Sequence, residues 1–142
     1  MQTPNLKKIS GDILALREHS CYELKQKLRK HSQDEVLLEE TVAFLLDNGY
    51  LSDERYIETF VRSKANRGYG PYWIQQALLA KQVDKNLVQK YLYQHHIDWQ
   101  ELAQKAYLKK YKNTKPKDYA EKAKRQRYLQ NRGFLMEDIS LG

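Results

Sequence analysis

The sequence repeats itself without a gap, and this constrains its fold more than any other feature. A shift of 50 residues places Ser20 on Gly70, Leu24 on Ile74, Leu28 on Leu78, Asp34 on Asp84, Leu38 on Val88 and Val42 on Leu92. A weaker copy lies 51 residues further on, where Leu78 falls on Leu129, Val83 on Phe134 and Val88 on Ile139. A period of this length marks one supersecondary unit stacked on its like, because a single unit has too little apolar area to bury alone. Apolar residues inside each copy recur at helical spacing, and no segment sustains strand alternation. The expected fold is all-α: tandem three-helix repeats, about three units and roughly nine short helices, in an elongated array. The units span residues 1–49, 50–97 and 98–142, the third curtailed and together forming one continuous domain. The alternative is a compact bundle in which the repeat is coincidence.

Start and stop residues fall where this scheme needs them. Ser20-Cys21-Tyr22-Glu23 has the form of a capping box, with Leu24 and Leu28 following on one face and an end near His31. Asp34 can cap the next helix, with a stripe of Leu38, Val42, Leu45 and Leu46, and Asn48-Gly49 supplies a left-handed stop. Ser52 can open a third helix with Tyr56, Ile57, Phe60 and Val61 apolar. Gly68-Tyr69-Gly70 breaks it, and Pro71 suits the first position of a helix carrying Trp73, Ile74, Ala77 and Leu78. Asp84 caps a helix with Leu87, Val88, Tyr91 and Leu92; Asp98 and Glu101 form a second capping box before Ala103, Tyr107 and Tyr111. After Thr114-Lys115-Pro116 a last long helix runs to about Arg132, with a short turn or helix over Met136 to Leu141.

Charge bears on partners. The formal net charge is +7, distributed as −1 over residues 1–50, +2 over 51–100 and +6 over 101–142. A basic last third favours a polyanion such as nucleic acid, though a solvated lysine-rich face would look the same. The longest apolar run is five residues, Val42 to Leu46, far below the roughly 20 a membrane helix requires. Met1 to Ser10 has no apolar leader, and a lone cysteine, Cys21, excludes an internal disulfide. The expected compartment is the cytoplasm, and no membrane partner is expected.

Catalytic and cofactor chemistry finds no support. Gly68-Tyr69-Gly70 is too short for a phosphate loop and runs straight into Pro71. The histidines are His19, His31, His95 and His96; the adjacent pair would point about 100° apart on a helix, and no zinc spacing exists. Cys21 sits at a helix start, where a lowered pKa can arise, but lacks a histidine in a nucleophile motif. We therefore expect no enzyme, no cofactor and no metal. The eleven tyrosines carry more information, because several lie among cations. Such interleaving suits base stacking with phosphate contact, and equally suits protein interfaces. Tyr107 and Tyr128 read as core edges with their hydroxyls in water; Tyr69 and Tyr72 read as interface.

Three ordered motifs then give the chain a family likeness. They are Leu14-x-x-Arg17-x-x-Ser20-x-x-Glu23-Leu24-x-x-Lys27-Leu28; Asn48-Gly49-Tyr50-Leu51-Ser52-Asp53-Glu54-Arg55-Tyr56 with Phe60-Val61 and Arg67-Gly68-Tyr69-Gly70-Pro71-x-x-Ile74; and Lys124-Arg125-Gln126-Arg127-Tyr128-Leu129-x-x-Arg132-Gly133-Phe134-x-x-x-Asp138-Ile139. In these the sequence resembles the RecX family. The resemblance implies a regulator built from three-helix repeats that lies in the groove of the RecA recombinase–DNA filament. It would inhibit strand exchange and coprotease activity, tempering recombinational repair and the SOS response. The expected partners are that filament and DNA itself, and the expected state is a monomer.

Two groups of residues are the candidate contacts. Lys64 and Arg67 lie one turn apart, and Pro71 should hold Tyr69 and Tyr72 near their face, giving the composition of an interface hot spot. Lys109, Lys110, Lys122, Lys124, Arg125 and Arg127 look like a more diffuse phosphate-contacting surface. A stand-alone DNA-binding protein with helix-turn-helix-like units is the competing reading.

Overall fold

The computed structural model describes residues 5–93 and 96–141; Met1 to Pro4, Gln94, His95 and Gly142, which enter some expectations above, lie outside them. Among the described residues there are eight α-helices, one short 3-10 helix and no strand. In chain order they are α1 (Leu6–Leu16), α2 (Cys21–Leu28), α3 (Glu35–Asp47), α4 (Asp53–Asn66), α5 (Pro71–Leu79), α6 (Lys85–Tyr93), α7 (Trp99–Tyr111) and α8 (Tyr119–Asn131), followed by the 3-10 turn Met136–Asp138. The chain is all-α and built of helical repeats.

Caps set the boundaries. Ser20 accepts from the Glu23 amide at 3.0 Å while the Glu23 carboxylate accepts from the Ser20 amide at 3.3 Å, so the first capping box is complete. Asp34, Ser52 and Asp84 each accept from an amide in the first turn of the helix they precede. The second box is half-formed: Asp98 caps Glu101 at 3.0 Å, but Glu101 turns outward to Lys105 at 3.5 Å. Gly49 takes the left-handed backbone expected of a helix stop, φ +74°. Pro71 occupies the first turn of α5, where its missing N–H is no loss.

Two apolar cores result. The first holds Leu6, Leu24, Leu28, Leu38, Leu45 and Leu51, all from α1 to α3 and the turn after them. The second joins Ile57, Val61, Ile74, Leu78, Val88 and Leu92 to Trp99, Ala103, Tyr107, Leu129 and Phe134, so the middle and last helix sets share one interior. Each leucine buried this way is worth roughly 1.5–3 kcal/mol against its exposed state. One member of the expected α3 stripe is displaced: Leu46 is 44% exposed, and Thr41 is buried instead, its hydroxyl donating to the Leu37 carbonyl at 2.7 Å. Positions 38, 41 and 45 follow the helical turn, whereas 46 has rotated past it.

The first core meets the rest of the chain through polar groups. The Cys21 amide donates to Asp53 at 2.7 Å, Arg55 pairs with Glu18 at 3.0 Å, and Lys81 approaches Glu23 at 3.6 Å. Between the middle and last sets the shared apolar interior is joined by close backbone contact. The Gly70 amide donates to the Arg132 carbonyl at 2.7 Å and the Tyr72 amide to the Gly133 carbonyl at 3.0 Å. A Cβ on Gly70 would lie 2.3 Å from the Gly133 and Phe134 backbone, and one on Gly133 would lie 2.4 Å from the Trp73 Cβ.

Candidate partner-binding site

The loop between α4 and α5 is where the candidate contacts gather. Arg67 closes α4, Gly68 turns the chain at φ +87°, and the Tyr69 amide folds back to the Lys64 carbonyl at 3.0 Å. The Lys64 ammonium lies over aromatic rings, 5.5 Å from Phe60, 5.7 Å from Trp73 and 6.0 Å from Tyr69. Aromatic faces favour a cation without neutralising it. Among the described residues neither Lys64 nor Arg67 has a carboxylate in ion-pair range, whereas neighbouring Arg62 reaches Glu58 at 3.9 Å. Tyr69 stacks on Trp73 with centroids 4.0 Å apart, and Tyr72 stands 57% exposed on the first turn of α5.

Lys64 and Arg67 open onto a groove of about 490 Å³ that crosses from the first helix set to the middle one, with Arg17, Glu23, Tyr56, Phe60 and Lys81 also lining it. Its one deeply buried carboxylate is spoken for. Burial alone would raise the Glu23 pKa, but the Arg17 fork at 2.9 and 3.1 Å, the Ser20 amide and Lys81 outweigh it and hold Glu23 down at about 2. Behind it, His19 is 1% exposed. Burial lowers its pKa, and its neighbours fix its tautomer: Nδ1 lies 3.0 Å from the Arg17 carbonyl, which can only accept, and Nε2 lies 2.7 Å from the Lys27 ammonium, which can only donate. The neutral ring therefore carries its proton on Nδ1.

Arg67 also borders a smaller groove of about 250 Å³, shared with Asn66, Gly68, Lys105 and Lys109. The fold thus brings Lys64, Arg67 and Lys109 into one neighbourhood spanning two helix sets. Lys110 sits 5.4 Å from the Tyr128 ring. Lys124 and Arg127 are exposed and Lys122 half-buried on α8, where the first two border a separate depression with Asp118 and Glu121.

Two expectations need correction. Arg125 is 3% exposed and cannot belong to a phosphate-contacting surface. Its guanidinium donates to the Tyr107 hydroxyl and the Thr114 carbonyl, both at 2.8 Å, and to Glu121 at 2.6 Å, while stacking 4.4 Å from the Tyr111 ring. Tyr107 accordingly does not leave its hydroxyl in water, because that oxygen accepts from Arg125. Cys21 fits the reading of an unreactive cysteine: burial and the neighbouring Asp53 carboxylate push its thiol up to about 12. No group of three or more His, Cys, Asp or Glu among the described residues could hold a metal ion, and none of the helices there is long and apolar enough to cross a membrane.

Arg17, Lys81, Phe60, Trp73 and Arg132 belong to this neighbourhood and were not among the candidate contacts, although Arg17, Phe60 and Arg132 stand in the family motifs. The repeat held the signal for three of them: the 50-residue shift places Arg17 on Arg67, and the 51-residue shift places Lys81 on Arg132.

Three-helix sets with a groove at their junction, lined by Arg17, Lys64, Arg67, Lys81, Tyr56 and Phe60, make this a helical-repeat protein. Comparison with known proteins narrows that class. Residues 52–92 match the description "RecX, second three-helix domain" and residues 97–140 "RecX, third three-helix domain". The chain is 38% identical over 142 residues to the Regulatory protein RecX of Vibrio campbellii, covering 99% of this chain and 92% of that one. It is 36% identical over 137 residues to that of Salmonella typhi, covering 89% and 82%. The chain belongs to the RecX family of regulatory proteins. Its fold matches the crystal structure of RecX from Lactobacillus salivarius with a TM-score of 0.75 at 23% identity, over 94% of this chain and 88% of that one. A second solved regulatory protein RecX matches with a TM-score of 0.78 at 24% identity, over 94% and 67%.

Proposed function

We propose that this protein binds the RecA recombinase–DNA filament and inhibits its strand-exchange and coprotease activities, moderating recombinational repair and the SOS response without chemistry of its own. It would do so as a cytoplasmic monomer. The observation that carries this reading is the groove at the junction of the first and middle helix sets. Among the described residues Lys64 and Arg67 there have no carboxylate in ion-pair range, and Lys64 lies beside Phe60, Tyr69 and Trp73. Arginine beside rigid aromatics is the composition of an interface hot spot, and a lysine facing the same groove adds a charge that a partner carboxylate can meet. The groove also contains carboxylates, which suits a mixed-charge protein surface better than a bare phosphate track.

The exposed cations Lys109, Lys110, Lys124 and Arg127, with Lys122, favour an additional direct contact with DNA. They equally motivate the second reading, a stand-alone DNA-binding protein. One comparison separates the two: binding to bare DNA against binding to RecA-coated DNA at physiological salt, with DNA-dependent ATP hydrolysis followed in parallel. The Lys64→Ala/Arg67→Ala variant should lose on the order of 1–3 kcal/mol of binding to coated DNA and inhibit weakly. Neutralising Lys122, Lys124 and Arg127 should chiefly flatten the salt dependence on bare DNA. If saturating protein leaves ATP hydrolysis and strand exchange unchanged while binding bare DNA, the second reading replaces the first.

A further inference from the structure

The loop that presents Arg67 and Tyr69 is held from two sides: its own helix bonds the Gly68 and Tyr69 amides, and the last helix set takes the rest. Arg132, at the end of α8, reaches across to it: Nη2 donates to the Arg67 carbonyl at 2.6 Å and Nε to the Gly68 carbonyl at 3.1 Å. These carbonyls lie at the end of α4, where a helix leaves acceptors without internal partners and where a cation is favoured. The same guanidinium lies 4.0 Å from the Tyr69 ring centroid. The backbone around it completes the hold, through Gly70 to the Arg132 carbonyl and Tyr72 to the Gly133 carbonyl. Of the six residues from Arg67 to Tyr72, four are thus hydrogen-bonded to residues 132–133 and Tyr69 is stacked on one of them.

We propose that Arg132 is the positioning residue of the docking face, and that the last helix set, apart from any DNA contact by its exposed cations, supports docking on RecA by clamping this loop. The inference rests on the reading that Lys64 and Arg67 face the partner. The earlier junction shows the same device in simpler form. Lys81, at the equivalent repeat position, reaches back to Glu23 at the entry to α2, but makes one ion pair where Arg132 makes two carbonyl bonds and a stack. Lysine cannot replace arginine in this role, because an ammonium has neither a fork for two carbonyls nor a plane for a ring.

The test compares Arg132→Lys, Arg132→Ala and Lys64→Ala/Arg67→Ala in the full chain. Binding to RecA-coated DNA is measured together with amide exchange of Gly70 and Tyr72 by NMR. Both Arg132 variants should bind about tenfold more weakly and exchange faster at Gly70 and Tyr72. The Lys64/Arg67 variant should bind weakly but exchange at the parental rate. If Arg132→Ala loses helicity, Arg132→Lys decides. Parental binding by Arg132→Lys, or parental exchange in it, overturns the clamp, since charge alone would then suffice. If the Lys64/Arg67 variant also binds like the parent, the docking face itself is misplaced; if it binds weakly while Arg132→Lys does not, only the clamp fails.

Discussion

Gly70 and Gly133 meet so closely that neither has room for a methyl group, and the obstacles are backbone atoms and the Trp73 stem, which cannot swing aside. Gly133 adds a left-handed φ of +101°, which strains any L side chain. Gly70→Ala or Gly133→Ala should therefore lower the unfolding free energy by about 2–4 kcal/mol, read from urea denaturation. Gly11, inside α1, has nothing within 4 Å of a built Cβ. Gly11→Ala should stabilise the protein by roughly 0.5–1 kcal/mol, through helix propensity and a less disordered unfolded chain. If both kinds of substitution shift the midpoint alike, close approach is not what governs the junction. A second residue-scale expectation concerns pH. His19 is buried neutral with a pKa below its ordinary 6.5, so the folded state binds fewer protons and loses stability as pH falls through that value. Glu23, depressed from 4.5 to about 2, contributes stability that is lost only as pH falls through that lower window. Melting temperatures between pH 7.5 and 5.5 should fall in the parent and stay flatter in His19→Asn; an equal slope in both would assign the fall to another group.

At the scale of elements, the sequence was most legible where side chain and backbone interact locally. Ser20, Asp34, Ser52, Asp84, Pro71 and Gly49 mark helix limits through contacts within a few residues, and the structure has them in those roles. What was not legible depends on partners far along the chain. Arg125 looks like one more lysine-rich-helix cation until Tyr107 and Thr114 are found beside it, 18 and 11 residues away. Arg132 finds its acceptors 64 and 65 residues back. Glu101 satisfied the capping-box pattern, yet its carboxylate pairs with Lys105 one turn on. The buried cation gives α8 two unlike faces, which predicts unlike phenotypes. Arg125→Ala should unfold at distinctly lower urea than the parent, because it strips the Tyr107 hydroxyl and Thr114 of their donor. Lys124→Ala and Arg127→Ala should unfold with the parent and change only binding. Equal stability of all three variants would mean that Arg125 is not part of the interior.

For the whole molecule, the division into two cores matters most. The first is joined to the second by the polar contacts Cys21–Asp53, Arg55–Glu18 and Lys81–Glu23, of which Arg55–Glu18 is open enough for salt to screen. The middle and last sets are joined by a common apolar interior. Calorimetry on Arg55→Ala/Lys81→Ala should accordingly show two resolved transitions, one per core. A single transition, with calorimetric and van't Hoff enthalpies equal, would mean that the cores are coupled by more than their polar joint.

The same division orders events while the chain is being made. A ribosome delivers Leu6 first, and by the time Leu51 has emerged every member of the first core is outside the tunnel and can close. The middle helices have no such independence, because their interior includes Leu129 and Phe134. Until those residues appear, Ile57, Ile74 and Val88 must wait with part of their apolar surface open to water and to other proteins. Released truncations between residues 92 and 129 should thus leave a folded head trailing a sticky, chaperone-dependent body, whereas a chain released near residue 52 should leave a small closed unit.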